Sequence, residues 1–155
     1  MAVIIMSIKP EYEEEIMRGD KGVELRVYGG RIEPGDFIIV YTTRPVGAVR
    51  SAFCVEDAPI MSAQAALEGI TNGRFKGGAT DDVYLGERMG KRIVVVVVGD
   101  KARVEPPITL EEIRSATPRW MPPINYRRAG QKDEWLIKEV LKRLGKPLSC
   151  VAGGS

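Results

Sequence analysis

The sequence predicts an α+β fold, in which a mixed β-barrel carries short flanking helices and a C-terminal helix. Three observations lead to this prediction. Short apolar segments recur along the chain between glycine and proline turns, which is typical of the strands of a barrel. Segments with capping residues predict helices between these strands. The chain has 155 residues, of which 44% are hydrophobic, and this is enough for the core of one domain.

The N-terminal third of the chain predicts alternating strands and one helix. Residues 3–8 form the first predicted strand. A helix should follow from about Pro10 to Arg18, because Pro10 suits the first helical position and Gly19 can end the helix. Further apolar segments predict strands at residues 23–28, 37–42 and 48–55.

The charged junction between this helix and the second strand is the most distinctive feature of the chain. Lys21 follows the helix, and Glu24 and Arg26 alternate with apolar residues in the strand. This alternation puts Glu24 and Arg26 on one face, roughly 6 to 7 Å apart. Exposed pairs of this kind contribute only about 0 to 1 kcal/mol. From these residues alone, a solvated salt-bridge cluster is therefore favoured over a binding site.

The rest of the chain predicts four more helices and one long strand. The strand should cover residues 91–103 and bend at Gly99. Residues 72–78 are basic and rich in glycine, which predicts a flexible surface loop. Capping residues start each helix. They are Ser62 for residues 63–69, Thr80 for a helix through Met89, Thr109 for a short helix, and Asp133 for a helix through Leu144. The last of these helices is amphipathic, with an apolar face formed by Ile137, Val140, Leu141 and Leu144.

The domain organisation follows from these elements. One domain is expected over residues 1–130, with an amphipathic helix at 131–147 packed on it and a frayed tail at 148–155. The net charge is +2, but residues 114–155 alone carry 9 basic and 3 acidic side chains. Counterion release makes such a local surplus useful for binding nucleic acid. An ordinary basic surface explains it equally well from charge alone.

Composition excludes several classes of site. The chain has no histidine, which removes the usual general base and the commonest metal ligand. Its two cysteines, Cys54 and Cys150, are too few for a disulfide framework and show no zinc spacing. No metal site is expected. Without a recognisable secretory segment or a membrane span, the sequence predicts a reducing, cytoplasmic location and no membrane contact.

The same N-terminal residues resemble a known family. A strand, Ile8-Lys9-Pro10, a short helix and then Gly19-x-Lys21-x-x-Glu24-x-Arg26 are similar to the ASCH domain, and most similar to small archaeal ASCH proteins. The ASCH domain is a branch of the PUA-like β-barrels associated with RNA. Residues 35–46 and 122–127 resemble a later strand and a late Pro-Pro segment of those proteins. The resemblance implies a PUA-like barrel with a central cleft lined by the motif residues.

The resemblance favours RNA or a modified nucleotide as the partner, bound without a cofactor and without catalysis. Lys21 and Arg26 would then contact phosphate or base oxygens, and Glu24 would accept from a base amino group or a ribose hydroxyl. Aromatic faces stack on bases, and arginines hold phosphates. The other candidate binding residues are Lys9, which borders the cleft or is merely exposed, and Tyr41, which lies in the cleft or in the core. Trp120, Tyr126, Arg127 and Arg128 near the Pro-Pro segment complete the set, and an equally good alternative is that Trp120 and Tyr126 close one end of the barrel.

Two alternatives remain open. Some bacterial relatives are amidohydrolases that deacylate a modified cytidine with a lysine, a threonine and a later carboxylate, and ribonuclease activity also occurs in the superfamily. Lys21 and Glu24 would be the catalytic pair here, with Asp81 or Asp82 as the later carboxylate, although Glu24 stands where the amidohydrolases have threonine. The other alternative is an interaction module, in which the basic terminal helix binds a protein.

Overall fold

The computed structural model describes residues 1–152, and within that range it contains one mixed sheet with helices on both sides. The strands are β1 Val3–Ile8, β2 Val23–Val27, β3 Phe37–Thr42, β4 Ala48–Asp57, β5 Ile60–Ser62, β6 Arg92–Thr109 and β7 Tyr126–Arg128. The helices are α1 Pro10–Arg18, α2 Ala63–Thr71, α3 Asp81–Gly86, α4 Leu110–Ala116, α5 Glu134–Arg143 and α6 Ser149–Ala152, with a 3-10 turn at Gln131–Asp133.

The sheet has the strand order β2-β6-β4-β3-β1-β7, and β5 pairs with β6 outside this path. The β1 and β3 strands are parallel, while the other pairings are antiparallel. Residues of β1 such as Met6 pack in one cluster with Val96 of β6, although two strands separate β1 from β6. The sheet must therefore curl so that this face is its inside. The predicted α+β, PUA-like fold is confirmed as a curled half-barrel.

Three apolar clusters hold the fold together. The inner cluster combines β1, β3 and β6 with Ile16 of α1. On the outer face, Ile113 of α4 and Val140 of α5 cover the strands around β3 and β4. At the other end of the outer face, Ala66 of α2 and Leu85 of α3 cover β2 and β6. Among the described helices, α1 is the one whose apolar residues pack in the inner cluster, and a cavity remains beside it.

The edge strands β2 and β7 are not paired with each other in the strand order. Side-chain hydrogen bonds join these two edges of the sheet instead. The amide of Asn125 donates to the carbonyl of Val27 at 3.2 Å. The hydroxyl of Tyr126 accepts from the backbone N–H of Gly29 and donates to the carbonyl of Gly30, both at 2.8 Å. These contacts close the half-barrel at one seam.

Most predicted elements are present, with corrected ends. Helix α1 has the predicted bounds, and Gly19 ends it with φ 83°. The helix predicted through Met89 ends at Gly86, and the hydroxyl of Thr80 donates to a tyrosine instead of capping it. The long strand continues to Thr109 because it pairs with β4 beyond its bend. The short strands β5 and β7 were not predicted.

Two predictions are corrected at single side chains. The loop at residues 72–78 lies mostly at the surface, as predicted, but the ring of Phe75 is buried against Gly69 and packs in the cluster under α2. In α5 the buried pair is Leu136 and Val140, with Ile137 and Leu144 partly buried on the same face. Leu141 is exposed, because Leu136 belongs to this face and moves its centre away from Leu141.

The C-terminal segment is also more ordered than expected. Cys54 of β4 and Cys150 of α6 form a disulfide, although the sequence predicted no disulfide framework. Leu148 is buried in the outer cluster, so the predicted tail packs on the domain through this point. Residues 153–155 lie outside the described range. The division at residue 130 and the cytoplasmic location stay predictions. Within residues 1–152, no helix is long and apolar enough to cross a membrane.

Candidate functional site

A cavity of about 560 Å³ lies beside α1, inside the half-barrel. Most of its lining comes from α1, the strand β2, the region of α3 and the segment before β7, and Ser7 of β1 and Thr43 after β3 complete it. Glu24 and Arg26 reach it because their partners across the strand pair, Val96 and Val94, belong to the inner cluster. Residues opposite each other in antiparallel strands share a face, so the alternation read from the sequence places these two charges inside.

Lys21 lies at the floor of the cavity and is only 2% exposed. Its ammonium donates to Asp81 Oδ1 at 2.8 Å and lies 3.3 Å from Glu24 Oε1. The ring of Tyr12 covers it, with the centroid 4.8 Å from Nζ. Burial disfavours the ammonium, but the carboxylates of Glu24 and Asp81 outweigh burial and raise the pKa of Lys21. Lys21 therefore stays charged at neutral pH.

Glu24 connects Lys21 to Arg26. Its Oε2 accepts from Arg26 Nη2 at 2.8 Å, and the side chain is almost completely buried. Burial would raise the pKa of Glu24, but Arg26 and then Lys21 overcome it and lower that pKa. We call Lys21, Glu24, Arg26 and Asp81 the cavity cluster. It holds two positive and two negative groups, so its formal charge is zero rather than cationic.

The fourth member, Asp81, opens helix α3. Its Oδ2 accepts from the backbone N–H of Gly78 at 2.7 Å, which fixes the carboxylate toward Lys21. A Cβ at Gly78 would come within 3.0 Å of Lys21 Cδ, so glycine permits this close approach. Asp82 is exposed and accepts from the N–H of Val83. The sequence could not choose between the two aspartates, because only the docking of α3 distinguishes them.

The rim of the cavity carries further charges. Lys9 is exposed there, as expected. Arg88 lies over the ring of Tyr84, 3.7 Å from its centroid, and Nη1 donates to the carbonyl of Tyr84 at 3.0 Å. Burial raises the pKa of Tyr84. With Glu87 included, four positive and three negative side chains line the cavity. The small positive excess lies at the rim.

Tyr12, Tyr84, Arg88 and Asn125 line the cavity but were not proposed from the sequence. Asn125 receives a long hydrogen bond of 3.4 Å from Arg26 Nη1. No periodic pattern or motif marks these positions. The one available signal was that Asn125 follows the Pro-Pro segment, which the resemblance had already singled out.

Tyr41 and Trp120 lie outside the cavity. Trp120 is 1% exposed, and its ring centroid lies 5.9 Å from that of Tyr41 in the outer cluster. Both face the helices on the outer side of the sheet, so neither ring can stack on a base in the cavity. Tyr126 is used at the seam described above. The rings of Tyr41 and Trp120 are buried in the outer cluster, and their contribution to the core explains their presence.

Arg127 and Arg128 differ sharply from each other. Arg127 Nη2 donates to Asp133 Oδ1 at 2.9 Å, and the same oxygen accepts from Trp120 Nε1 at 2.8 Å. We call Trp120, Arg127 and Asp133 the loop cluster, because it holds the segment 120–125. Burial would raise the pKa of Asp133, but the hydrogen bonds from Arg127, Gly130 and Trp120 lower it. Arg128 is exposed on β7. Neither arginine lines the cavity.

Comparisons with known proteins agree with this fold. The ASCH domain model matches residues 6–144. The chain belongs to the ASCH domain family. A comparison with curated proteins gave no significant match.

Several solved structures resemble the chain. The ASCH protein from Zymomonas mobilis superposes with a TM-score of 0.77 at 17% identity, over 94% of this chain and 97% of that one. A hypothetical protein from Leishmania major gives 0.56 at 15% identity, over 92% and 96%. The N-terminal domain of Staphylothermus marinus McrB gives 0.55 at 10% identity, over 91% and 93%. At these identities the likeness shows the ASCH fold.

Proposed function

We propose that this ASCH domain binds RNA or a nucleotide, with one base in the cavity and its phosphate at the rim. The observation that carries the proposal is the division of charge within the cavity. The floor is polar and electrically balanced, whereas exposed Lys9 and partly buried Arg88 lie at the rim. A volume of about 560 Å³ falls within the usual range for ligand sites, about 300 to 1,000 Å³.

Arg26 supplies the free donors on the floor. A guanidinium carries five N–H groups. Among residues 1–152, Glu24 and Asn125 accept two of them, which leaves three without a protein acceptor, and the side chain is 14% exposed. Both carboxylates of the cavity cluster already accept from protein donors. The floor therefore suits a ligand that offers acceptors, such as the carbonyl oxygens and ring nitrogens of a base.

The rim residues suit the anionic part of the same ligand. Lys9 and Arg88 offer donors outside the balanced cluster, and charged donors form the strong hydrogen bonds to phosphate. The backbone phosphate also supplies most of the affinity of nucleic-acid complexes. Base recognition at the floor and phosphate contact at the rim thus use different residues, which makes them separable by mutation.

Binding of the four ribonucleoside monophosphates and of a short single-stranded RNA, measured by isothermal titration calorimetry, tests the proposal. Arg26→Gln replaces the guanidinium and its charged donors with a shorter, uncharged amide, and Glu24 keeps Lys21 as its partner. We expect about a 10-fold or greater loss of affinity, since hydrogen bonds to charged groups contribute about 1.5 to 3 kcal/mol. The control is Arg103→Gln, which removes an exposed arginine that does not line the cavity. Equal affinities for both variants, or no binding by the wild type, would refute the proposal.

One observation favours a second candidate, a hydrolase acting on an acylated cytidine. Asp81 opens a later helix and contacts Lys21 at 2.8 Å, as the resemblance to the amidohydrolases implied. Against it, Glu24 takes the place of threonine, and the raised pKa of Lys21 disfavours a neutral base. Mass spectrometry after incubation with acetylated cytidine and with single-stranded RNA checks this candidate. Acetate release or RNA cleavage that is lost in Lys21→Ala would favour hydrolysis over binding alone.

A further inference from the structure

An isoleucine projects from the rim of the cavity into solvent. Ile124 lines the cavity and is 103% exposed, so its side chain contacts almost nothing in the part of the chain that the structure describes. Val83 of α3 lines the same cavity and is 57% exposed. Single exposed apolar residues are common on protein surfaces and need no explanation by themselves. The rigidity of the segment that carries Ile124 makes this case different.

Four hydrogen bonds hold that segment. Arg114 Nε donates to the carbonyl of Trp120 at 2.9 Å, and Arg127 Nη1 donates to that of Met121 at 2.7 Å. The hydroxyl and the backbone N–H of Ser7 donate to the carbonyls of Pro123 and Asn125, at 2.5 and 3.2 Å.

The prolines before Ile124 restrict the segment further. Pro122 and Pro123 fix two consecutive φ angles. The loop cluster anchors the start of the segment, and Asn125 anchors its end at the seam. Ile124 therefore has a fixed position beside the opening, and little backbone entropy remains to be lost when a ligand contacts it.

We infer that the ligand is a single RNA strand and that Ile124 packs against the base next to the one in the cavity. This inference rests on the proposed function and deepens it. A free nucleotide has one base, which the floor would hold, and offers no second apolar face to Ile124. A strand places a second base about one stacking distance away. Its phosphates would run past Lys9 and Arg88, so the same path satisfies the rim charges.

The contact is of a known physical kind. Apolar side chains such as isoleucine insert beside bases and take the place of a stacking neighbour. Every base has an apolar face, so the contact is tolerant of sequence. The floor would then determine which base is preferred, while Ile124 would raise the affinity for a strand over that for a mononucleotide.

The experiment compares a mononucleotide with a strand. Uridine monophosphate and a pentauridylate are titrated against the wild type, Ile124→Ala and the control Ile60→Ala, which truncates a half-exposed isoleucine of β5 that does not line the cavity. If neither uridine ligand binds the wild type, the same pair is made with the base that the calorimetric series selects. We expect Ile124→Ala to weaken strand binding by about 3- to 10-fold, because one base contact is lost. Mononucleotide affinity should stay within about twofold in all three proteins.

A spectroscopic readout supplements the affinities. A strand with 2-aminopurine next to the base in the cavity should change its fluorescence on binding the wild type and change less with Ile124→Ala. The inference is overturned if Ile124→Ala leaves strand affinity unchanged, if it weakens the mononucleotide equally, or if strand and mononucleotide bind the wild type equally. Absence of binding by every nucleotide and strand would instead refute the proposed function. The two failures are thereby distinguishable.

Discussion

The cavity cluster and the loop cluster contain the same kinds of groups and serve different ends. Each places arginine beside a carboxylate that is almost completely buried, with an aromatic ring close by. In the loop cluster, Asp133 accepts from three different residues and holds one segment of backbone. In the cavity cluster, Arg26 keeps unused donors that face an opening. Both clusters bury charged groups, so burial does not distinguish them. The unused hydrogen-bond donors of Arg26 indicate where a ligand can bind.

The largest effect should come from breaking the loop cluster. Asp133→Ala leaves the buried Trp120 N–H without its acceptor and removes the partner of Arg127. We expect the free energy of unfolding to fall by about 2 to 3 kcal/mol, because a buried unpaired donor keeps its desolvation cost. Urea unfolding measures it. Asp20→Ala, which removes an exposed partner of Arg18, serves as control and should leave the midpoint unchanged. A similar midpoint for both variants would contradict a structural role for the loop cluster.

A smaller change in the free energy of unfolding should follow when Glu24 of the cavity cluster is protonated at low pH. The pKa of Glu24 is lowered in the folded state, so its ionised form stabilises the fold above the unfolded pKa of about 4.3. That stability is lost as pH falls through the lowered pKa. Glu24→Gln should therefore cost about 1 to 2 kcal/mol at pH 7 and less toward pH 3. Urea unfolding of both proteins over this range measures the difference, and a difference independent of pH would contradict it.

At alkaline pH the same unfolding experiment should show a loss of stability as the pH rises, and Lys21 is responsible for it. The pKa of Lys21 is raised in the folded state, so its contribution is complete below the unfolded pKa of about 10.4. It is lost as pH rises through the raised folded pKa. Replacing Lys21 with methionine should remove this alkaline loss relative to the wild type. If the wild type and the variant lost stability in parallel above pH 10, the charge on Lys21 would not be responsible.

The smallest effect separates the two adjacent arginines. Arg128 is exposed, so Arg128→Gln should lower the salt slope of RNA binding by about 1 if a strand passes it. Arg127 is already paired with Asp133, so Arg127→Gln should mainly reduce stability. Affinities at several salt concentrations, with thermal midpoints, measure both. An unchanged slope in Arg128→Gln would place the phosphate path elsewhere.

Local signals predicted much of the fold and half of the candidate site. Pro10 and Gly19 mark the ends of α1 by their backbone preferences, and these depend on no distant residue. The alternation in β2 placed Glu24 and Arg26 on one face for the same reason. In each case, residues within a few positions of one another determined the local structure, either by ending a helix or by alternating along a strand.

Distant packing determined what the sequence could not show. Asp81 meets Lys21 across 60 positions, and the choice between it and Asp82 depends on how α3 docks. Trp120 and Tyr126 follow the aromatic and cationic pattern of a nucleic-acid surface, yet packing and the seam use them. Pattern alone does not show which side of a curled sheet a side chain reaches.

The disulfide divides the chain into an open arm and a covalent ring. The bond between Cys54 and Cys150 closes a loop with a sequence separation of 96. Asp81, Ile124 and Asn125 belong to the ring, whereas Lys21 and Arg26 belong to the arm. A closed ring has fewer unfolded conformations. The cavity residues of the ring thus come from a segment whose unfolded state is already restricted, whereas those of the arm reach the cavity only when β2 joins the sheet.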